Sequence, residues 1–493
     1  MIRRAARFIA NALAKGSDAV ARVEWLTWAL LVAAIAAPRV WLHALCPVYI
    51  WSADSAGYLY PALQWLDHGT WLSDPRRGPI YSGFIALALK FTGNLSAVAV
   101  AQQWICGAAI LGLCLALRAR CGRRALLPIL VCGITAAIYG LPLYLAQLIR
   151  NEALLMGAAT LALVGLQLGL ADGKHRLAWL VLGGFGGALV NLTKSVFMPW
   201  PALGLIAILW PRREGNPRWV LAATAFVLGY ALPMGTAKLA EKLWPGSVAG
   251  VSYAGIQLYG RVAQWTVIDG GIYPEIKEAI RPLVIDYRGR KKLDNNWVIK
   301  RGIIPVIGKT IGDTGERSVD TICRALAIEA IRAHPREFFG QATADFGSFL
   351  FEMGWKERVP KHKDLKKLAA NIERLPNPHP AMHAPEVIAV YRGADSAHFS
   401  PYHRMIRSAF LFEAWSPVMI ASIILVLLCL LDRADRPFWI AAAGIWFFNL
   451  VILSTVGKPM HRYLMPLIPV MILVTGTALC RAWMIAQRGA RTG

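Results

Sequence analysis

Apolar runs dominate the chain, and they are long. Stretches of roughly 17–25 residues recur along it, each long enough as an α-helix to cross a hydrocarbon core of ~30 Å. Taking the amino end as cytoplasmic, a first helix is expected over Glu24–Leu45, followed by a polar outer segment from Cys46 to Arg77. The apolar run Ile80–Phe91 is short and poorly flanked for a span. It is expected to lie in the outer interface, because a crossing there would put Arg118-Ala-Arg-Cys-Gly-Arg-Arg124, with its four cations and no acid, on the outside. Spans are then expected over 95–117, 125–146, 152–171, 177–193, 196–210 and 219–241, and again over 409–431, 437–455 and 463–485. This is an all-α polytopic membrane protein with about ten transmembrane helices and both termini inside.

Three regions follow from that threading. Residues 1–241 form an amino-terminal membrane core whose first outer loop covers about 46–94. Residues 242–408 form a mixed outer segment, and 409–493 the last three helices. The outer segment carries an amphipathic stretch, Ser318–Phe351, broken at His334-Pro335. Ile322, Leu326, Ile328, Ile331, Phe338 and Phe339 recur there at helical spacing, as expected of packing on the membrane body. The basic first 24 residues and Ala34-Ile35-Ala36 resemble parts of a signal peptide, but an uncleaved helix is expected, since Pro38 sits beside any cut.

Composition supports this picture. The 493 residues are 56% hydrophobic, too apolar for an ordinary soluble domain. A formal net charge of +24 raises nucleic acid as a partner, but the cations punctuate the ends of apolar runs instead of forming one tract. Membrane lipids and phosphorylated substrates suit that distribution, and nucleic acid does not. The eight cysteines are scattered, without a CxxC or a zinc-like Cys/His spacing.

Outer loops of such a protein are normally poor in cations. Here Arg76 and Arg77, Arg150 beside Glu152, Lys194, and Lys458 with His461 and Arg462 all fall on the outer face. A single one is explained by snorkelling; four loops supplying cations to one face suit an anionic phosphate held beside a carboxylate. Asp54 and Glu152 are the carboxylates at the membrane edge. Asp54 opens an amphipathic helix, where a helix cap and a general base are equally good readings, and Tyr58 shares its face one turn on. Glu152 is either functional or paired with Arg150 or Lys194. His461 binds phosphate or caps the last helix. Tyr58, Tyr81 and Tyr463 fit interfacial anchors better than ligands.

In order along the chain, these pieces resemble the C-type (GT-C) glycosyltransferases, above all the bacterial aminoarabinose transferases of lipid A and the protein O-mannosyltransferases. The first outer loop carries Asp54-Ser-Ala-Gly-Tyr58 and then Arg77-Gly-Pro-Ile-Tyr81-Ser-Gly-Phe84. Arg150-Asn-Glu152 resembles the acidic opening of a later helix, and Asn191-Leu-Thr-Lys194 a lysine-bearing turn. Glu329-Ala-Ile-Arg-Ala-His334-Pro335 and His461-Arg462-Tyr463-Leu-Met-Pro466 resemble an outer helix and the start of the last helix. Residues 45–200 carry most of the resemblance, 320–485 less, and 242–320 none. Ser55 stands where many relatives have a second acid, which bears on metal binding. Gly78 replaces a usual proline, a change that a tight turn tolerates.

The resemblance implies a GT-C fold with juxtamembrane helices in the first outer loop, in a bacterial inner membrane. It implies transfer of a sugar from a polyprenyl-phosphate donor to an unspecified glycan, lipid or protein acceptor at the periplasmic face, with inversion. Asp54 would be the base, Glu152 a second acidic site residue, and Arg77, Arg150, Lys194, His461, Arg462, Tyr58 and Tyr81 the substrate and phosphate contacts. The resemblance specifies no cofactor, and a divalent metal is compatible with it. The alternative is a protein that binds or moves a lipid-linked glycan without cleaving it. A transporter would place its ionisable groups near the midplane and show internal repeats, and neither is evident.

Overall fold

A computed structural model describes residues 23–47, 49, 54–69, 78–171, 174–194, 199–209, 218–243, 254–289, 302–312, 316–351, 436–456 and 461–492, with a few positions between 421 and 429. Regular structure among them is helical throughout. The membrane part comprises α1 (Glu24–Leu45), α2 (Ser55–His68), α3 (Pro79–Thr92), α4 (Ser96–Cys121), α5 (Leu126–Ala137), α6 (Gly140–Gln147), α7 (Glu152–Leu170), α8 (Arg176–Thr193), α9 (Pro199–Leu209) and α10 (Arg218–Leu243). Five shorter helices follow: α11 (Ala254–Val262), α12 (Pro274–Gly289), α13 (Ile303–Thr310), α14 (Glu316–Ala333) and α15 (Pro335–Phe351). The chain ends with α16 (Arg436–Val456), a 3-10 turn at His461–Leu467, and α17 (Ile468–Thr492).

Among the described residues seven helices are long and apolar enough to cross a membrane, and α5 with α6, bent by 43°, make an eighth if counted as one span. The chain is a multi-pass α-helical membrane protein. The expected count of ten is not reached among the described residues. Of the expected span 196–210, the described residues hold the 11-residue α9, and the rest lies outside them. The expected span 409–431 lies almost wholly outside the described residues.

The orientation of the helices follows from ion pairs at the bundle's two ends. Glu24, opening α1, holds Arg118 at 2.8 Å and Arg123 at 2.6 Å. Trp483 Nε1 of α17 donates to the Arg124 carbonyl at 3.1 Å. The start of α1, the Arg118–Arg124 loop and the latter part of α17 therefore share one face. Because α1 leaves that face and α4 returns to it, α2 and α3 do not cross. Left-handed glycines end both short helices, Gly69 at φ 63° and Gly93 at φ 64°. On the opposite face, Gln147 Nε2 donates to the Cys46 carbonyl at 3.1 Å and Ser55 Oγ to the Ile149 carbonyl at 3.0 Å.

Two apolar cores are present. The larger joins the membrane helices through residues such as Leu42, Ile85, Leu113, Leu155, Leu180 and Trp439. The smaller belongs to α11–α15 and centres on Tyr259, Ile280, Ile307 and Leu326. The amphipathic stretch does break at His334-Pro335, into α14 and α15. Its expected face is corrected in part: Ile322, Leu326 and Phe338 are buried and Ile331 partly so, whereas Ile328 and Phe339 are exposed. The two halves also serve different partners. α14 packs into the smaller core against α11, and α15 packs on α16, with Phe346 edge-on to Phe447 at 6.2 Å.

Candidate active site

The site is built on the antiparallel pair α7 and α8. A methyl group on Gly165 would collide with the Gly183 backbone, and one on Gly186 with the Ala162 backbone, so the two helices approach as only small residues allow. That approach brings the start of α7 beside the end of α8, where Asn151 Nδ2 donates to the Thr193 carbonyl at 2.9 Å. Lys194 is the next residue, an extended position closing α8. Helix α3 seats its first turn on the same spot: a methyl on Gly78 would collide with the Leu192 carbonyl. This corrects the turn-freedom reading of Gly78. Its φ of −60° suits proline, and close approach, not conformation, is what demands glycine there.

Asp54 precedes α2 and makes no capping bond to that helix. Its carboxylate lies 3.7 Å from the Arg150 guanidinium, with the Asp54 side chain 29% exposed and the Arg150 side chain 12%. The pairing of Glu152 with Arg150 is thereby corrected, since the arginine's ion pair is with Asp54. Glu152 is itself buried, and its Oε2 has no hydrogen-bond partner among the described residues. The amino-terminal ends of α2, α3 and α7 converge here, and their partial positive charges add to Arg150 and Lys194 in favouring an anion.

Tyr58 and Tyr81 are corrected from interfacial anchors to buried contacts. Their rings meet edge-on at 4.8 Å, and Tyr81 is fully buried. Burial pushes the Tyr81 phenol well above the ordinary tyrosine value, and the Glu152 charge beside it acts in the same direction. The Tyr81 hydroxyl donates to Gln102 Oε1 at 2.6 Å. Gln102 Nε2 donates in turn to the Ala146 carbonyl at 2.8 Å and the Leu148 carbonyl at 2.7 Å. Gln103 Nε2 donates to the Leu143 carbonyl at 2.7 Å, and the Gln103 carbonyl accepts from Arg39 Nε at 2.8 Å. Backbone groups left unpaired in lipid cost several kcal/mol each, so these glutamines make it possible for α6 to end inside the bundle.

The structure thus brings together Asp54, Tyr58, Tyr81, Arg150 and Glu152, with Lys194 on the adjoining turn. Arg76, Arg77 and Lys458 lie outside the described residues. The backbones of His461 and Arg462 form the 3-10 turn that packs on α7 and α6, but their side chains, like that of Tyr463, lie outside the described residues. Glu329 serves the smaller core: it holds the 1%-exposed Lys277 at 2.7 Å. Ser55, the position of the relatives' second acid, is fully buried and bonded to Ile149. Among the described residues no three His, Cys, Asp or Glu side chains are grouped to hold a metal ion.

Sequence reasoning passed over Arg39, Gln102, Gln103 and Gln147. Their signal was present: polar residues inside apolar runs must find partners within the bundle.

No family model matches the chain, and no curated protein matches it. Among solved structures it is similar to ArnT from Cupriavidus metallidurans, in the apo state and bound to undecaprenyl phosphate. Sequence identity is 15% in both cases, the TM-score is 0.36, and the match covers 87% of this chain and 77% and 78% of those chains. A likeness at that TM-score assigns this chain no activity.

Proposed function

We propose that the chain is an integral membrane glycosyltransferase, which moves a sugar from a polyprenyl-phosphate donor to an acceptor hydroxyl with inversion at the anomeric carbon. The observation that carries the reading is a partly exposed carboxylate, Asp54, set 3.7 Å from Arg150 where three helices begin, above an apolar bundle and beside the buried Glu152. A lipid-phosphate donor needs that combination: apolar helices for its chain, fixed cations for its phosphate and a base within reach.

In the proposed reaction Asp54 takes the proton of the acceptor hydroxyl as that oxygen attacks the anomeric carbon. The bond from the anomeric carbon to the phosphate oxygen breaks, and polyprenyl phosphate leaves with the electron pair. Arg150 holds the Asp54 carboxylate in the resting site. With Lys194, Arg77 and Arg462 it stabilises the charge growing on the departing phosphate. Arginine grips phosphate oxygens in pairs, and lysine acts as a point charge. Glu152, buried against Tyr81, contacts the acceptor or steers one of the cations. The arginine-rich face carrying Arg118–Arg124 is the cytoplasmic one by charge bias, so the site opens to the periplasm of a bacterial inner membrane.

The test is release of free polyprenyl phosphate from a mixed pool of labelled lipid-linked sugars, in membranes carrying the chain or its Asp54→Asn variant. Wild-type turnover is expected, with a loss of roughly 10²–10⁴-fold in Asp54→Asn, the usual contribution of a general base. Equal rates would remove Asp54 from the chemistry. No release from either, with lipid still bound, would leave a non-catalytic binder of lipid-linked glycans.

A further inference from the structure

We infer that Gln102 is the positioning residue of this site: it ends α6 and, through the Leu148 carbonyl, fixes the backbone that carries Arg150 and Glu152. Gln102 lies in the apolar helix α4, is fully buried and meets the site residues through Tyr81 and the backbone alone. Its significance lies in the direction of its hydrogen bonds.

A glutamine amide has one donor end and one acceptor end, and its neighbours here decide which way it points. The Ala146 and Leu148 carbonyls, at 2.8 and 2.7 Å, can only accept. Both must face the NH2 group, and they use its two hydrogens. The amide oxygen is therefore turned to Tyr81, 2.6 Å away, and can only accept from it. Tyr81 has one hydrogen, which this bond takes, so its oxygen is left as an acceptor. The Arg150 amide donates at 2.8 Å to the Leu148 carbonyl, the same oxygen that Gln102 Nε2 holds at 2.7 Å.

The bonds thus meet at Gln102, which takes the Tyr81 hydroxyl on one side and on the other the two carbonyls that end α6, one of them shared with the Arg150 amide. Three segments distant in sequence, α3, α4 and the 146–150 turn, are locked in one register. Because Tyr81 has no hydrogen left to give, it cannot serve as a proton donor to the leaving group. Its part in the site is to hold the Gln102 amide in the orientation that meets the Ala146 and Leu148 carbonyls. Gln103, one residue on, supports the same broken helix from another side, through Leu143 and through Gln147 at 3.3 Å.

The inference rests on the transferase reading for its kinetics but not for its structural readout, and the experiment keeps the two apart. Gln102→Leu, Tyr81→Phe and the double variant are compared with wild type by amide hydrogen exchange and by transfer rate. Gln102→Leu is expected to speed exchange of the 146–151 amides and to lower kcat roughly 10²-fold, as displacement of a catalytic loop by about 1 Å does. KM for the donor should stay within a few-fold. Tyr81→Phe should speed exchange at Arg150, and the double variant should be no slower in turnover than Gln102→Leu alone, because both act through one chain of bonds. Unchanged exchange at 146–151 in Gln102→Leu, multiplicative kinetic losses, or a rise in KM at constant kcat would each overturn the assignment. If Gln102→Leu does not fold, Tyr81→Phe decides, with unchanged exchange at Arg150 as the overturning result. If the wild type shows no turnover, the transferase reading fails while the exchange measurements still judge Gln102.

Discussion

Gly78 stands against the Leu192 carbonyl, with no room for a side chain between them. Gly78→Ala must push α3 off α8, and a cost of about 1–3 kcal/mol is expected, the usual penalty of overpacking. Thermal unfolding in detergent would measure it, and because Tyr81 sits one turn further along α3, activity should fall with it. The ionisable part of the site was legible from residues alone. Asp54, Arg150, Glu152 and Lys194 announce themselves because charge at the end of an apolar helix demands a reason. Tyr58 and Tyr81 were misjudged, since a tyrosine near a membrane edge has the same local signature whether it faces lipid or is covered by another helix. Gln102 was overlooked because an amide carries no charge, and its partners are backbone carbonyls some 44 and 46 residues away.

Helices long enough to span were read nearly residue for residue, since length and hydropathy are local properties. The break between α5 and α6 was not, because the apolar run passes through it unbroken. Only Gly140 and Pro142 mark the place, and the carbonyls of the short helix beyond the bend are taken by glutamines of α4. α9 was taken as part of a span because its composition is apolar, and its described part is the 11 residues Pro199–Leu209. In the smaller core the decisive pair is Lys277 with Glu329. Glu329→Gln leaves a buried ammonium without its counter-charge, so α12 and α14 are expected to lose about 3–5 kcal/mol of mutual stability. Limited proteolysis within 254–338 should reveal the loss. Replacing both partners, Lys277→Met with Glu329→Leu, should restore much of it, because no charge then remains to be compensated.

For the molecule as a whole, the clasp of Glu24 with Arg118 and Arg123 makes a topological statement that labelling can check. His68→Cys and Asn94→Cys, at the exposed ends of α2 and α3, should react with an impermeant thiol reagent from the same side. Arg124→Cys should react only from the other. Labelling of positions 68 and 94 from opposite sides would mean that α3 crosses, and the threading of the first four helices would have to be redrawn.

The link between the two cores has a consequence in time. Arg261 of α11 is buried, pairs with Asp345 of α15 and donates to the Ser454 carbonyl near the end of α16 at 3.2 Å, a partner 193 residues further along the chain. At about 5–20 residues per second, that partner emerges on the order of ten to forty seconds after Arg261 does. Helices α11–α14 can close their own core during that interval, whereas their seat on the bundle does not yet exist. Docking onto α16 is therefore a late event of biogenesis. A nascent chain halted before Ser454 would carry a folded outer unit still waiting for its place.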